Sequence, residues 1–229
     1  MAAKHNKVVA IDGPAGSGKS TVAKRVAERL GILYVDSGAL YRAVTWFCLK
    51  RAIDFSGSNG AVAAALQELD IELKASVDGV HVSINGEDVT AGIRSTEVTA
   101  LVSTVSEKAC VREIVNRYLH ELAKDKDVIL DGRDIGTVVF PEAELKIFLN
   151  ASLEERARRR FSELKSQKKD IDFNEIRSDI SRRDKHDSER ALAPLRPAAD
   201  AVLLDTTNLT IDEGVAFVVD KFHALESHA

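Results

Sequence analysis

The chain has 229 residues, of which 45% are hydrophobic and 30% charged, and its formal net charge is −4. That composition excludes a disordered or fibrous chain, and the acidic balance excludes a broadly basic nucleic-acid surface. Only two cysteines occur, Cys48 and Cys110, so neither a disulfide framework nor a zinc site is supported. No run approaches the roughly eighteen apolar residues of a membrane span, and the N-terminus lacks a signal-peptide core. A cytoplasmic protein is expected, monomeric, with no membrane or nucleic-acid partner. The charge is uneven, however. Residues 156–160 read Arg-Ala-Arg-Arg-Arg, followed by Arg182, Arg183, Arg190 and Arg196, an arginine bank that suits a specific anion.

Val8, Val9, Ala10 and Ile11 form a short apolar run that stops at Gly13, which predicts a buried strand feeding a glycine-rich turn. Residues 20–30 read as a helix, because Val22, Val26 and Leu30 recur at four-residue spacing. Gly31 stands where a left-handed cap belongs. A second strand covers 33–35, and a helix of about 39–51 buries Leu40, Val44, Phe47 and Cys48. This alternation predicts an α/β fold with a parallel sheet. The polar connector 54–59 reads as mobile. Residues 71–90 then alternate in period two around Asp78-Gly79 and Asn85-Gly86, which predicts a small antiparallel insert. Two helices are expected within 95–124, and three further core strands at 128–130, 145–149 and 201–204. Charged helices at 153–165 and 173–188 flank the polar stretch 166–172, and a closing helix spans 211–225. We read one domain over 1–229. Its subregions are a core at 1–36, an inserted region at 37–125, core again at 126–150, charged helices at 151–190 and core at 191–229.

The run Gly13, Pro14, Ala15, Gly16, Ser17, Gly18, Lys19, Ser20 fits G-x-x-x-x-G-K-[ST], with Thr21 following. Successive backbone N–H groups of such a loop chelate phosphate oxygens, and the helix after it adds its positive end. Lys19 is suited to the β- and γ-phosphates, and the Ser20 hydroxyl to Mg²⁺. Because the run follows an apolar strand and opens a periodic helix, nucleoside triphosphate binding is expected. The guanine-reading Asn-Lys-x-Asp motif of GTPases is absent. Arginine-rich helices around a polar loop suggest a lid that excludes water.

Three more segments carry charge in unusual patterns. Asp36-Ser37-Gly38 leads to Tyr41-Arg42, Asp131-Gly132-Arg133-Asp134 leads to Thr137, and Arg183-Asp184 leads through Asp187 to Arg190. The first two fall at the carboxyl ends of predicted core strands, where open α/β sheets bind ligands. Taken alone, each is equally a surface turn. Together with the phosphate loop, they resemble the bacterial-type cytidylate kinases of the nucleoside monophosphate kinase group. The resemblance runs from Gly13 to Asp205, and its most specific feature is the run 131–141. It implies a P-loop kinase fold with a five-stranded parallel sheet, an antiparallel insert and a helical lid. It implies phosphoryl transfer from ATP to CMP or dCMP with Mg²⁺.

By the same resemblance, Arg42, Arg133 and Arg190 hold the acceptor phosphate. Ser103, Arg112 and Asp134 read cytosine, Arg183 and Asp187 meet the sugar, and Ser37 lies near the acceptor. The chemistry is suited to this: a guanidinium fork grips a phosphate, and a carboxylate accepts from the cytosine amino group but repels the uracil carbonyl. Arg159 is expected to reach the transferring phosphoryl group. Its neighbours Arg156, Arg158 and Arg160 pair in part with Glu154, Glu155 and Glu163. With Lys19, the residues Arg133, Arg159 and Arg190 make the expected catalytic set. Asp36 and Asp131 each stand as a water-mediated Mg²⁺ partner of Ser20, and Asp131 equally as a support for the turn at Gly132. Some family members have Gly at the position of Ser20. His186 reads as solvent-facing. A kinase for UMP or another small molecule, and a non-catalytic nucleotide switch, remain as alternatives.

Overall fold

The computed structural model of the chain describes residues 6–54, 59–76, 79–166 and 172–226. Most of the connector 54–59, residue Asp78 of the first hairpin signal and most of the stretch 166–172 lie outside the described residues. The described residues form two compact units, one of residues 1–35 with 123–229 and one of residues 36–122.

The first unit is built on a five-stranded parallel sheet. Its strands are β1 (Val8–Asp12), β2 (Leu33–Asp36), β6 (Val128–Gly132), β7 (Leu145–Asn150) and β8 (Val202–Asp205), in the order β2-β6-β1-β7-β8. The register pairs Asp12 with Gly132 on one side of β1 and with Phe148 on the other. The carboxyl ends of β1 and β6 therefore finish level. Three helices flank or follow this sheet in the chain: α1 (Lys19–Leu30), α6 (Leu153–Ser166) and α7 (Phe173–Glu189), with α8 (Ile211–Glu226) closing it. Val9, Ile11, Ile129, Ile147 and Leu149 of the strands pack with Val22 and Val26 of α1 and with Val215, Val218 and Phe222 of α8. Strands covered on both faces read as continuous apolar runs, which is why the sequence shows them clearly.

Helix α1 ends as the sequence predicts. Gly31 adopts φ 66° and donates its N–H to the Ala27 carbonyl. Helices α6 and α7 have a small core of their own, in which Ala157, Leu164, Ile176 and Ile180 are buried. Phe161 and Phe173 meet edge to face there, with centroids 5.9 Å apart. The Asp172 carboxylate starts α7 by accepting from the Asn174 and Glu175 N–H groups.

The second unit holds α2 (Ser37–Lys50), α3 (Asn59–Leu66), a three-stranded antiparallel sheet, α4 (Thr96–Ser106) and α5 (Ala109–Ala123). The sheet is β3 (Ile71–Ser76), β4 (Gly79–Ile84) and β5 (Glu87–Asp88), in chain order. Asn85 and Gly86 take φ 49° and 81° between the paired residues Ile84 and Glu87, the two-residue turn expected of Asn-Gly. Two details differ from the sequence reading. Helix α2 starts at Ser37, two residues early, because the Asp36 side chain accepts from the Ala39 N–H and caps it. Helix α3 was not expected. Val62 and Leu66 are its buried face, but the alanines between them erase the polar contrast that marks an amphipathic helix.

Candidate active site

Residues 13–18 form the turn between β1 and α1. Gly16 and Gly18 take φ 76° and 93°, conformations that an L side chain rarely adopts. Gly13 is required by space: a Cβ there would lie 2.0 Å from the Leu149 carbonyl oxygen. Lys19 is buried, and its Nζ donates to the Pro14 carbonyl at 3.1 Å across the loop. Pro14, Ala15 and Ser17 complete the turn, and Ser20 and Thr21 open α1 with their N–H groups at its positive end.

The Ser20 hydroxyl donates to Asp131 Oδ2 at 2.6 Å, and the Tyr34 hydroxyl donates to Asp131 Oδ1 at 2.9 Å. Asp131 is the last but one residue of β6 and is buried. A hydroxyl and a carboxylate in contact beside a phosphate loop are hard oxygen donors, the set that Mg²⁺ takes together with nucleotide phosphates and water. Of the two carboxylates expected near the metal, Asp131 is the one bonded to Ser20. Asp36 stands in the second unit as the cap of α2. Among the described residues, no three His, Cys, Asp or Glu side chains cluster as a metal site of their own.

A second group of charges surrounds the end of β6. Arg133 Nε donates to Asp187 Oδ2 at 2.9 Å, and Arg190 Nη2 donates to Asp134 Oδ1 at 3.2 Å. Arg190 also donates from Nε to the Ala193 carbonyl at 2.6 Å. Arg183 lies among them: burial, then the neighbouring Arg133 charge, pulls its pKa below the ordinary guanidinium value. Among the described residues, its Nε meets no hydrogen-bond partner. Five residues that the sequence spread over 133–190 are thus brought together. Three guanidinium groups stand against two carboxylates, so the cluster keeps a positive charge that suits an anion. His186, read as solvent-facing, is instead half-buried, with its Nδ1 shielded from solvent.

The helix α6 arginines divide sharply. Arg156 is buried; its Nε donates to the Ala151 carbonyl, its Nη1 to the Ala15 carbonyl at 3.0 Å, and it pairs with Asp184 at 2.6 Å. Arg159 donates to the Ser17 carbonyl at 3.1 Å and to both oxygens of Thr206, while its Nε pairs with Glu155. Arg158 and Arg160 are exposed and pair with Glu154, Glu155 and Glu163 at turn spacing. Arg156 and Arg159 therefore both reach the phosphate loop backbone.

Within the second unit, Ser37 is buried at the start of α2. Arg42, one turn on, donates to the Thr99 hydroxyl at 2.9 Å and the Ile93 carbonyl at 3.3 Å. Arg112 of α5 is buried, donates to the Ser106 carbonyl at 3.4 Å and lies 5.7 Å from the centre of the Tyr41 ring. Ser103 stands half-buried on α4, and its carbonyl accepts from the Ser106 hydroxyl at 2.8 Å.

Sequence reasoning passed over Asp12, Tyr34, Thr99 and Thr206. Asp12 alone gave a signal, an acid immediately before the glycine-rich run. The others are ordinary residues whose partners lie far along the chain.

The sequence profile of the family described as cytidylate kinase matches residues 9–224. A cytidylate kinase of Shouchella clausii is 50% identical over 212 residues, covering 93% of this chain and 94% of its own. A cytidylate kinase of Anoxybacillus flavithermus is 50% identical over 213 residues, covering 93% of this chain and 92% of its own. Among solved structures, an uncharacterized protein from Eubacterium ventriosum shares the fold, with a TM-score of 0.51 at 11% identity, and covers 94% of this chain and 98% of its own.

Proposed function

The chain belongs to the cytidylate kinase family, and from that membership we propose that it transfers the γ-phosphoryl group of ATP to CMP or dCMP, releasing ADP and CDP or dCDP. The observation that carries the reading is the level ending of β1 and β6, which sets the Lys19 loop beside the half-buried Arg133 and, through its partner Asp187 of α7, the half-buried Arg183 and buried Arg190. A donor-phosphate cradle and a second anion-binding cluster on adjacent strands suit transfer between two phosphates.

Little covalent chemistry is asked of the protein, because positioning and charge stabilisation supply most of the rate of phosphoryl transfer. The loop 13–21 holds the ATP phosphates, with Lys19 on the β- and γ-oxygens. Mg²⁺, held by Ser20 and through water by Asp131, would neutralise the charge of the phosphates. Arg42, Arg133 and Arg190 hold the acceptor phosphate. The ion pairs of Arg133 and Arg190 occupy only part of each five-donor fork, so donors remain for the phosphate while the carboxylates keep each guanidinium aimed. Arg159 stabilises the transferring group, and α6 and α7 exclude water as a lid.

Asp134 and Ser103 accept from the cytosine amino group, and Arg112 donates to the ring acceptors. Arg183 and Asp187 meet the sugar, and Ser37 borders the acceptor. Uracil would leave Asp134 facing a carbonyl, and mismatched buried polar groups discriminate strongly. We read the chain as a monomer. Both cysteines are free thiols, which fits the reducing cytoplasm. The test is ADP release measured across CMP, dCMP, UMP, AMP and GMP. The two cytidine nucleotides should be the preferred acceptors. Equal use of UMP would refute the base-reading scheme, and no ADP with any acceptor would refute the kinase reading.

A further inference from the structure

Asp12 is the last residue of β1, is 5% exposed, and takes no part in the chemistry above. Its Oδ1 accepts from the Ile135 N–H and its Oδ2 from the Gly136 N–H, each at 2.8 Å. Those two N–H groups open the single π-helical turn Ile135–Val139 that follows Asp134. The first N–H groups of a helical turn have no partner within it. One carboxylate therefore satisfies both and pins the backbone directly after Asp134. On its other side, Asp12 leads at once into Gly13 and the phosphate loop.

We infer that Asp12 is a specificity-determining positioning residue, which holds the Asp134 carboxylate in place to read the acceptor base by clamping the Ile135 and Gly136 N–H groups. The inference rests on the proposed role of Asp134. Its physical case is that a buried carboxylate is a poor choice for packing alone. Burial is the main force that pushes the Asp12 pKa up to about 6; the Gly136 and Ile135 N–H bonds oppose it most, and the Asp134 charge adds to it. A neutral side chain would avoid that cost. Asparagine, however, offers one acceptor and turns an NH₂ group towards the other N–H. Only a carboxylate meets both donors at once, and it meets them one residue from Asp134.

The test is Asp12→Asn, with kcat and KM measured for CMP, UMP and ATP. The ratio of kcat/KM for CMP to that for UMP should fall by at least about tenfold, the scale set by one displaced hydrogen bond to a buried base. The loss should appear in KM for CMP, with KM for ATP within about twofold of the wild type. An unchanged ratio would overturn the inference. So would an equal rise in KM for ATP, which would make Asp12 a support of the phosphate loop only. Asp12→Glu keeps the charge and both acceptor oxygens on a longer stem, and its ratio should lie between those of wild type and Asn. If the Asn variant does not fold, Asp12→Ser, which lacks the charge and the second acceptor oxygen, takes its place, and an unchanged ratio there overturns the inference. A wild type without preference for CMP would refute the role of Asp134 and this inference together. A wild type that prefers CMP, with variants that keep the preference, refutes this inference alone.

Discussion

Arg190 Nη2 and Asp134 Oδ1 lie 3.2 Å apart, with both side chains almost wholly buried at 4% and 6% exposure. The two opposite charges are therefore paired away from water. The pair joins the end of α7 to the turn after β6, and it carries two separate proposed duties, phosphate binding by Arg190 and base reading by Asp134. A buried pair of this kind adds little net stability over an apolar replacement, but loss of one partner is costly. Its retention here fits a site that needs both groups oriented before the acceptor arrives.

Replacing Asp134 by Ala should hurt in two measurable ways. Folding stability should fall by about 3 kcal/mol, because Arg190 is left buried without its counter-charge. The preference for CMP over UMP should fall by at least about 1–2 kcal/mol, because the acceptor for the cytosine amino group is gone. Urea unfolding reads the first and paired acceptor kinetics the second. Loss of stability with an unchanged CMP/UMP ratio would leave Asp134 a structural partner of Arg190 and nothing more.

Helix α6 offers a controlled comparison. Arg156→Ala removes donors from the Ala15 and Ala151 carbonyls and leaves Asp184 without its ion-pair partner in a site where Arg156 is 7% exposed. Stability should drop by about 3 kcal/mol and KM for ATP should rise, since the Ala15 peptide belongs to the phosphate loop. Arg158→Ala, two residues on, removes only exposed contacts to Glu154 and Glu155 and should cost about 0.5 kcal/mol or less, with unchanged KM for ATP. Thermal unfolding and ATP titrations of the two variants check this. Equal effects would contradict the division of the bank into buried and solvated arginines.

That division shows what the sequence could and could not convey. Periodicity places the arginines of 156–160 on one helix and says that they face different ways. It does not say which of them turn inward, because the Ala15, Ser17 and Thr206 groups that receive them lie in other elements. The phosphate loop was fully legible, since its chemistry is local: glycines of positive φ, a lysine and a hydroxyl in eight residues. The central strands β1, β6 and β7 were legible because they are buried almost throughout, and the partly exposed edge strands β2 and β8 because each is still a short apolar run. The cluster of Arg133, Asp134, Arg183, Asp187 and Arg190 was legible only through family resemblance, as spacing alone cannot close a gap of fifty residues. Asp12 and Tyr34 escaped because their roles exist only once β1, β2 and β6 lie side by side.

The elevated pKa of Asp12 makes a signed prediction about stability. Its carboxyl sits at about 6 in the folded chain, against 3.8 for the ordinary value. The folded state then binds the proton more tightly than the unfolded state. The contribution of this group to stability is fully present below the unfolded value and is lost as pH rises through about 6. Between pH 7 and pH 5, the wild type should gain about 1 kcal/mol relative to Asp12→Asn, which has no such proton to bind. Urea unfolding of both proteins at the two pH values isolates the term, because every other titrating group is shared. A gain of opposite sign would mean that the two backbone N–H bonds outweigh burial at Asp12.

The contact between Ser20 and Asp131 separates metal binding from packing. Ser20→Ala removes the hydroxyl that donates to Asp131 Oδ2, while Tyr34 still donates to Oδ1. Tyr34→Phe does the reverse, removing the outer donor and keeping the hydroxyl on α1. Each variant takes one hydrogen bond from a buried carboxylate, so each should lose about 1 kcal/mol of stability or somewhat more. Only Ser20→Ala loses a proposed oxygen donor for Mg²⁺. Its half-saturating Mg²⁺ concentration should rise by about tenfold at fixed ATP, and Ser20→Thr, which keeps a hydroxyl on the same carbon, should restore most of the wild-type value. Tyr34→Phe should leave the Mg²⁺ dependence unchanged. Activity titrated with MgCl₂ for all three variants checks this. Equal Mg²⁺ curves for Ser20→Ala and the wild type would make the Ser20 hydroxyl a fixture of the β6 strand end, with the metal carried by the nucleotide and water alone.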